Sequence, residues 1–300
     1  MDLSPEELRR IVARAAAIKR EDRGGQADPT GDNTGGVLGN QTAVLVFEKS
    51  STRTRVSFET GVARLGGNTI FLAPGDSQLA RGEPIEDTAR VLSRMARLII
   101  MRTGPHERVE RMAEFASVPV INALSDFNHP CQLLADIQTC FAHRGDLAGK
   151  RVAWVGDGNN VCHSWMNAAR QLDFHLAIAT PRDYAPDRDL SRQCADYIAL
   201  GDDPAAAVAG ADVVVTDSWI SMGQEREKRD REAAFAGFCV DRAMMDGAAK
   251  DALFMHCLPA YRGCEVSAEV IDGPQSVVWE QVENRLHAQK ALMEFLLKLC

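Results

Sequence analysis

Short apolar or β-branched runs recur along the chain with helix-patterned stretches between them, and this alternation limits the fold more than any other feature of the sequence. In the first half, residues 43–47, 69–72, 97–101 and 118–121 read as strands. The second half repeats the rhythm at 151–155, 174–179, 212–216 and 253–255, with helical periodicity over 161–172 and 190–200. Strands that alternate with helices form parallel sheets covered on both faces, and ligands then gather at the carboxyl ends of the strands. The expected class is α/β, with two doubly wound parallel-sheet domains joined by helices.

A connector is legible at Pro130. There His129 occupies the helix N-cap, Pro130 the first helical position, and Leu133, Leu134 and Ile137 an apolar stripe. The expected domains are therefore 1–128 and 129–279. A last helix over 280–300, with Val282, Leu286, Leu292, Phe295 and Leu296 at helical spacing, is expected to pack back on the first domain. The Gly-rich stretch 24–39 reads as a loop, and no repeat of solenoid length is present.

At 300 residues, 45% of them hydrophobic, the chain can build one large or two ordinary cores. Its formal charge of −8 argues against a broad nucleic-acid surface, so any anion site must be local. The apolar runs are too short to span a bilayer, and the start Met1-Asp2-Leu3-Ser4-Pro5 lacks a secretory pattern. Eight cysteines without a C-x-x-C pair suit reduced thiols in a cytoplasmic protein rather than a disulfide framework or structural zinc. No metal or cofactor is expected.

The chemistry begins after the first strand, at Glu48-Lys49-Ser50-Ser51-Thr52-Arg53-Thr54-Arg55. Free N–H groups at a helix start attract an anion, Ser and Thr add donors, and Arg grips two phosphate oxygens at once. An isolated S-T-R is more often a helix cap with solvated arginines. The strand-to-helix setting and the run of donors from Ser50 to Thr54 favour a phosphate site here.

The run Phe47-Glu48-Lys49-Ser50-Ser51-Thr52-Arg53-Thr54-Arg55 resembles the carbamoyl phosphate motif of the aspartate and ornithine carbamoyltransferase family. The resemblance continues in family order at Met101-Arg102-Thr103, His129-Pro130-Cys131-Gln132, Asp217-Ser218-Trp219-Ile220-Ser221-Met222-Gly223 and His256-Cys257-Leu258-Pro259. It implies that carbamoyl phosphate is bound by Ser51, Thr52, Arg53, Thr54, Gln78, Arg102, His129, Gln132 and Arg285. Among these, Arg102, His129 and Thr54 would polarise the carbonyl, whose oxygen gains charge as the amine attacks. Gln132 lies one helical turn from His129 and could accept from the carbamoyl amide. Gln78 resembles a loop residue that reaches a neighbouring subunit's site, which implies a homotrimer with shared sites; the role of Arg81 nearby is open.

For the acceptor, the resemblance implies Asn160, Asp217, Ser221, Met222, Cys257 and Leu258. Asp217 follows a strand and can pair with an ammonium, Ser221 and the Met222 backbone can hold a carboxylate, and Asn160 can bind either group. Aspartate would call for a basic clamp at this point, whereas Asp217, Ser-Met-Gly and the Cys257 thiol mark the ornithine branch. The catalytic set expected on this basis is Arg102, His129, Asp217 and Cys257. Carbamoyl phosphate would enter first, ornithine second, and domain closure would bring the amine to the carbonyl without a covalent enzyme intermediate; the charged run 225–232 reads as a solvated helix face, and its position after Ser-Met-Gly suggests a loop that closes over the acceptor. Biosynthetic and degradative directions would use the same contacts.

A nucleotide-binding oxidoreductase competes through Gly156-Asp157-Gly158. Its third glycine position is Val161, and the next strand ends at Ala179-Thr180-Pro181 without an acidic residue for a ribose. A non-catalytic relative is a second rival, yet Arg53, Arg102, His129, Gln132, Asp217 and Cys257 are all present. Acylated ornithine or putrescine as acceptor would leave Asp217, Asn160 or Ser221 without a partner.

Overall fold

The computed structural model describes residues 2–24, 36–220 and 228–298. The chain divides into two compact units, Glu6–Gln138 with Glu283–Cys300, and Thr139–Val282 with Met1–Pro5. It passes from one to the other inside the helix Pro130–Arg144 and returns inside the helix Val278–Lys298.

The first unit runs α1 (Pro5–Arg23), β1 (Thr42–Phe47), α2 (Thr52–Arg64), β2 (Asn68–Leu72), α3 (Ile85–Ser93), β3 (Leu98–Arg102), α4 (His106–Phe115), β4 (Val120–Leu124) and the start of α5 (Pro130–Arg144). Its four strands lie in the order β2-β1-β3-β4, all parallel. β1 and β3 are buried on both faces, as their unbroken apolar runs require. Below the sheet, Val44, Val46, Ile99 and Met101 close on Ile85, Ala89, Val109 and Met112 of α3 and α4.

The second unit runs β5 (Arg151–Val155), α6 (Asn160–Leu172), β6 (His175–Ala179), α7 (Arg188–Gln193), β7 (Ile198–Gly201), α8 (Pro204–Val208), β8 (Val213–Thr216), α9 (Lys228–Ala234), α10 (Arg242–Asp246), β9 (Leu253–His256), α11 (Ala268–Ile271) and the start of α12 (Val278–Lys298). Five parallel strands lie in the order β7-β6-β5-β8-β9. Both units are thus doubly wound α/β sheets, as the alternation predicts. Each has one point where strand order reverses, between β1 and β3 in the first and between β5 and β8 in the second. The loops leaving those strands are where such sheets hold ligands.

Two elements differ from the sequence reading. The stretch 190–200 is a short helix followed by a strand, because α7 closes at Cys194, whose N–H bonds to Leu190 O, and Ile198–Gly201 then pairs with β6. As an edge strand, β7 keeps Leu200 47% exposed, so no second buried face marked it in the sequence. The second difference is α1, which the sequence reading leaves out. Its Leu8, Ile11, Val12, Ala15 and Ile18 are buried, and its polar face is tied to α12 within the same unit. Arg14 Nε donates to Glu294 at 2.6 Å, Lys19 Nζ to Asn284 Oδ1 at 2.7 Å, and Lys290 Nζ to Asp22 at 3.0 Å. Of the Gly-rich loop, 25–35 lie outside the described residues.

Candidate active site

In the first unit, β1 and β3 deliver their loops to the strand-order reversal, and Phe47 stands in register with Arg102. Ser51 caps α2 with an extended backbone; its Oγ accepts from Thr54 N at 3.4 Å and donates to Thr54 Oγ1 at 3.0 Å. Thr54 is fully buried, and its hydroxyl also accepts from Arg285 Nη2 at 2.9 Å. The other Arg285 amine donates to Gln132 Oε1 at 3.1 Å, while Gln132 Nε2 donates to Asp136 at 2.8 Å. Thr54, Gln132 and Arg285 therefore meet although they come from three helices, α2, α5 and α12.

His129, at the start of α5, is buried beside this set. Burial, then the charges of Arg285, Arg102 and Arg53, hold its pKa well below the usual imidazole value, so it is a neutral group among guanidinium ions. Arg102 is 7% exposed, whereas Thr52 is exposed and Arg53 half-buried. The neighbouring thiol, Cys131, is pushed up to about 12 by burial and donates to Asn122 O at 3.3 Å, which makes it a core group rather than a nucleophile.

Other basic residues of the motif point elsewhere. Lys49 pairs with Asp126 at 2.8 Å, and Arg55 lies 3.7 Å over the Phe71 ring while pairing with Glu59 at 2.9 Å. Glu48 takes a two-pronged contact from Arg108, Nη2 to Oε1 at 2.6 Å, and accepts from the Thr103 hydroxyl, which ties the ends of β1 and β3 together. Gln78 begins an exposed 3-10 turn, Gln78–Arg81, and makes no hydrogen bond to the cluster.

In the second unit, Asp217 follows β8 at the reversal and is 7% exposed. Its Oδ2 accepts from Asn159 Nδ2 at 2.7 Å, and its Oδ1 from Ser218 N at 2.7 Å and Cys257 Sγ at 3.0 Å. Asn159 is a residue the sequence reading passed over in favour of Asn160. It caps α6, its Oδ1 accepting from Val161 N at 2.9 Å and Cys162 N at 3.2 Å, and turns the remaining amide to Asp217. The signal was available: an Asn directly before an apolar-periodic helix is a capping residue. Asn160 is the first residue of α6 and partly exposed. Leu258 follows Cys257 in a left-handed conformation, φ 59°, before a cis peptide to Pro259. Ser221 and Met222 lie outside the described residues.

Asp217, His256 and Cys257 present potential ligand atoms within 4.8 Å of one another. Both ring nitrogens of His256 are engaged, by Leu258 N at 2.8 Å and Glu265 at 3.2 Å, so a carboxylate and a thiol are what the loop offers. Gly156-Asp157-Gly158 has a packing explanation. A Cβ on Gly158 would collide with the backbone of Tyr184–Pro186, and Asp157 is bound to Arg231 Nη1 at 2.8 Å. Gly156 takes φ 136°, and a Cβ on it would meet Thr216 Oγ1 at 3.3 Å, so both glycines have a local backbone or packing reason.

Comparison with known proteins defines the class. The carbamoyl-P binding domain model of aspartate/ornithine carbamoyltransferase matches residues 1–141, and the Asp/Orn binding domain model matches residues 148–296. Fold and site define a transferase of carbamoyl groups, with a cationic cluster in one unit and a carboxylate-centred loop in the other. The chain belongs to the aspartate/ornithine carbamoyltransferase family. It is 57% identical over 297 residues to the ornithine carbamoyltransferase of Nitrosococcus oceani, covering 99% of this chain and 95% of the relative. The ornithine carbamoyltransferase of Pyrococcus furiosus superimposes with a TM-score of 0.93 at 46% identity, covering 99% of this chain and 95% of that one. That of Burkholderia thailandensis gives 0.89 at 50% identity, covering 99% and 96%.

Proposed function

We propose that this chain transfers the carbamoyl group of carbamoyl phosphate to the side-chain amine of L-ornithine, giving L-citrulline and phosphate. The observation that carries the acceptor half is Asp217, a carboxylate steadied by Asn159, Ser218 N and the Cys257 thiol at the ends of β8 and β9. All three partners are neutral donors, so the carboxylate keeps its charge for an ammonium group. An aspartate acceptor would instead meet a like charge. Relatives named as ornithine carbamoyltransferases, at 51–57% identity, support the same choice.

On this reading the first unit, Glu6–Gln138 with Glu283–Cys300, holds carbamoyl phosphate, and the second holds the acceptor. Ser51, Thr52, Arg53 and Thr54 bind phosphate at the start of α2, where free N–H groups favour an anion. Arg102 and neutral His129 donate to the carbamoyl oxygen, and the Arg285–Gln132 pair orients the rest of the donor. Asn160, Ser221, Met222 and Leu258 complete the acceptor set. The amine attacks the carbonyl carbon as a free base, negative charge gathers on the carbonyl oxygen, and the bond to phosphate oxygen breaks; the proton that the amine loses leaves on the released phosphate. No covalent bond to the enzyme forms.

The finer assignments belong to the same proposal. The enzyme is a cytoplasmic homotrimer of arginine metabolism in which Gln78 serves a neighbouring subunit's site, and no membrane or nucleic-acid partner is needed. Among the described residues no helix is long and apolar enough to cross a membrane. The test is product formation from carbamoyl phosphate with ornithine, acetylornithine, putrescine and aspartate offered in parallel. Citrulline as the dominant product is the expected result. Preference for another amine overturns the acceptor assignment, and no product from any amine overturns catalysis.

A further inference from the structure

The turn after β9 is held by a pair of groups that the mechanism above does not use. His256 ends that strand and is fully buried, and Glu265, nine residues later, is 1% exposed. His256 Nδ1 accepts from Leu258 N at 2.8 Å, so that nitrogen is bare and the proton sits on Nε2. Nε2–H therefore donates to Glu265 Oε1, 3.2 Å away. The same carboxylate oxygen accepts from Tyr261 N at 2.6 Å. Gln281 Oε1 accepts from His256 N at 3.1 Å on the other side. Glu265 thus grips both ends of the segment 257–260, through His256 before it and through Tyr261 after it.

What that segment contains explains the need. Leu258 adopts φ 59°, where a branched side chain crowds its own backbone. A residue in that region persists only when its surroundings over-determine it. Cys257, between Leu258 and His256, donates to Asp217 at 3.0 Å, so a relaxed turn would take the thiol off the carboxylate. A buried carboxylate is expensive to desolvate, and an apolar side chain would fill the same space more cheaply unless the two hydrogen bonds matter.

We infer that Glu265 is a positioning residue for the acceptor half of the reaction, acting through neutral His256 to hold the Cys257–Leu258 turn against Asp217. This rests on the reading of Asp217 and Cys257 as acceptor residues. The experiment compares Glu265→Leu, Glu265→Gln, His256→Asn and the Leu/Asn double variant in the full-length protein, with KM measured separately for ornithine and for carbamoyl phosphate. Glu265→Leu is expected to raise the ornithine KM about tenfold while leaving that of carbamoyl phosphate within about twofold. Glu265→Gln keeps an oxygen for both N–H donors and should return the ornithine KM to within about threefold of the parent. His256→Asn keeps an acceptor for Leu258 N–H but falls short of Glu265. It should show the same selectivity, with the double variant no worse than Glu265→Leu alone. If Glu265→Leu does not fold, the selectivity of His256→Asn decides. A parallel rise of both KM values, an unchanged ornithine KM, or a Gln variant no better than Leu overturns the inference. If the parent enzyme prefers another amine, the substrate assignment fails on that result alone, and the same KM split is then read with that amine.

Discussion

In the first unit a neutral histidine sits among three guanidinium groups, whereas in the second a single carboxylate sits among uncharged donors. On the proposed reading, the cationic set serves a dianion whose charge it neutralises. On the same reading, the carboxylate serves a cation that the substrate brings. Neutral groups help to steady each: Gln132 and Thr54 bond to Arg285, and Asn159 and Cys257 to Asp217. Neutral support fixes geometry without cancelling the charge that binds, which is how a site can be rigid and still attract its ligand.

If the two clusters divide the work this way, their variants must fail differently. The largest effect is expected from Arg102→Ala, which removes a donor to the charge that builds on the carbonyl oxygen; kcat should fall about 100- to 1000-fold, with ornithine KM nearly unchanged in steady-state assays. A similar loss expressed only as a raised ornithine KM would break the division. Next, Asp217→Asn should raise the ornithine KM about 100-fold while leaving carbamoyl phosphate binding intact. Initial-rate kinetics with each substrate varied in turn tests it. Asn159→Ala should be milder, costing about 1 kcal/mol of stability through the lost helix cap and raising the ornithine KM several-fold, read from denaturant unfolding and kinetics on the same sample.

The smallest effect concerns pH and sharpens the charge argument. His129 has a folded-state pKa held below its unfolded value near 6.5 by burial and by Arg285, Arg102 and Arg53. Between those two values the unfolded chain binds a proton that the folded chain refuses, so stability is full above about pH 6.5 and declines as pH falls, by at most about 1.4 kcal/mol per pH unit from this group. Replacing it by Asn should flatten that slope in unfolding measurements between about pH 6.5 and 5. An unchanged slope would show that burial and the arginines together do not depress the His129 pKa.

The residues that were legible in the sequence are those whose role is local. Ser51 and His129 read as helix-start residues, Pro130 as the opening of a helix, and Asp217 as the residue beyond a strand, because capping and strand ends depend on a few neighbours in the chain. Asn159 was legible by the same rule and was overlooked beside Asn160. The helix α1 was legible too, with Pro5 first, Glu6 and Glu7 in the opening turn and apolar residues at helical spacing. β7 was not, since an exposed edge strand of Ile198–Gly201 carries no pattern that separates it from the end of a helix.

By itself, the sequence determined two doubly wound sheets and the placing of its motifs at strand ends, since alternation and capping are properties of short stretches of chain. Only the tertiary structure decided which groups would meet. Arg285 reaches Gln132 across 153 positions and Thr54 across 231, and Asn159 reaches Asp217 across 58. Whether a charged residue is held at a site or spent on a neighbour depends on such contacts, as Lys49 on Asp126 and Glu48 on Arg108 show. Charge and hydrogen bonding act through space, and distance along the chain does not encode distance in the fold.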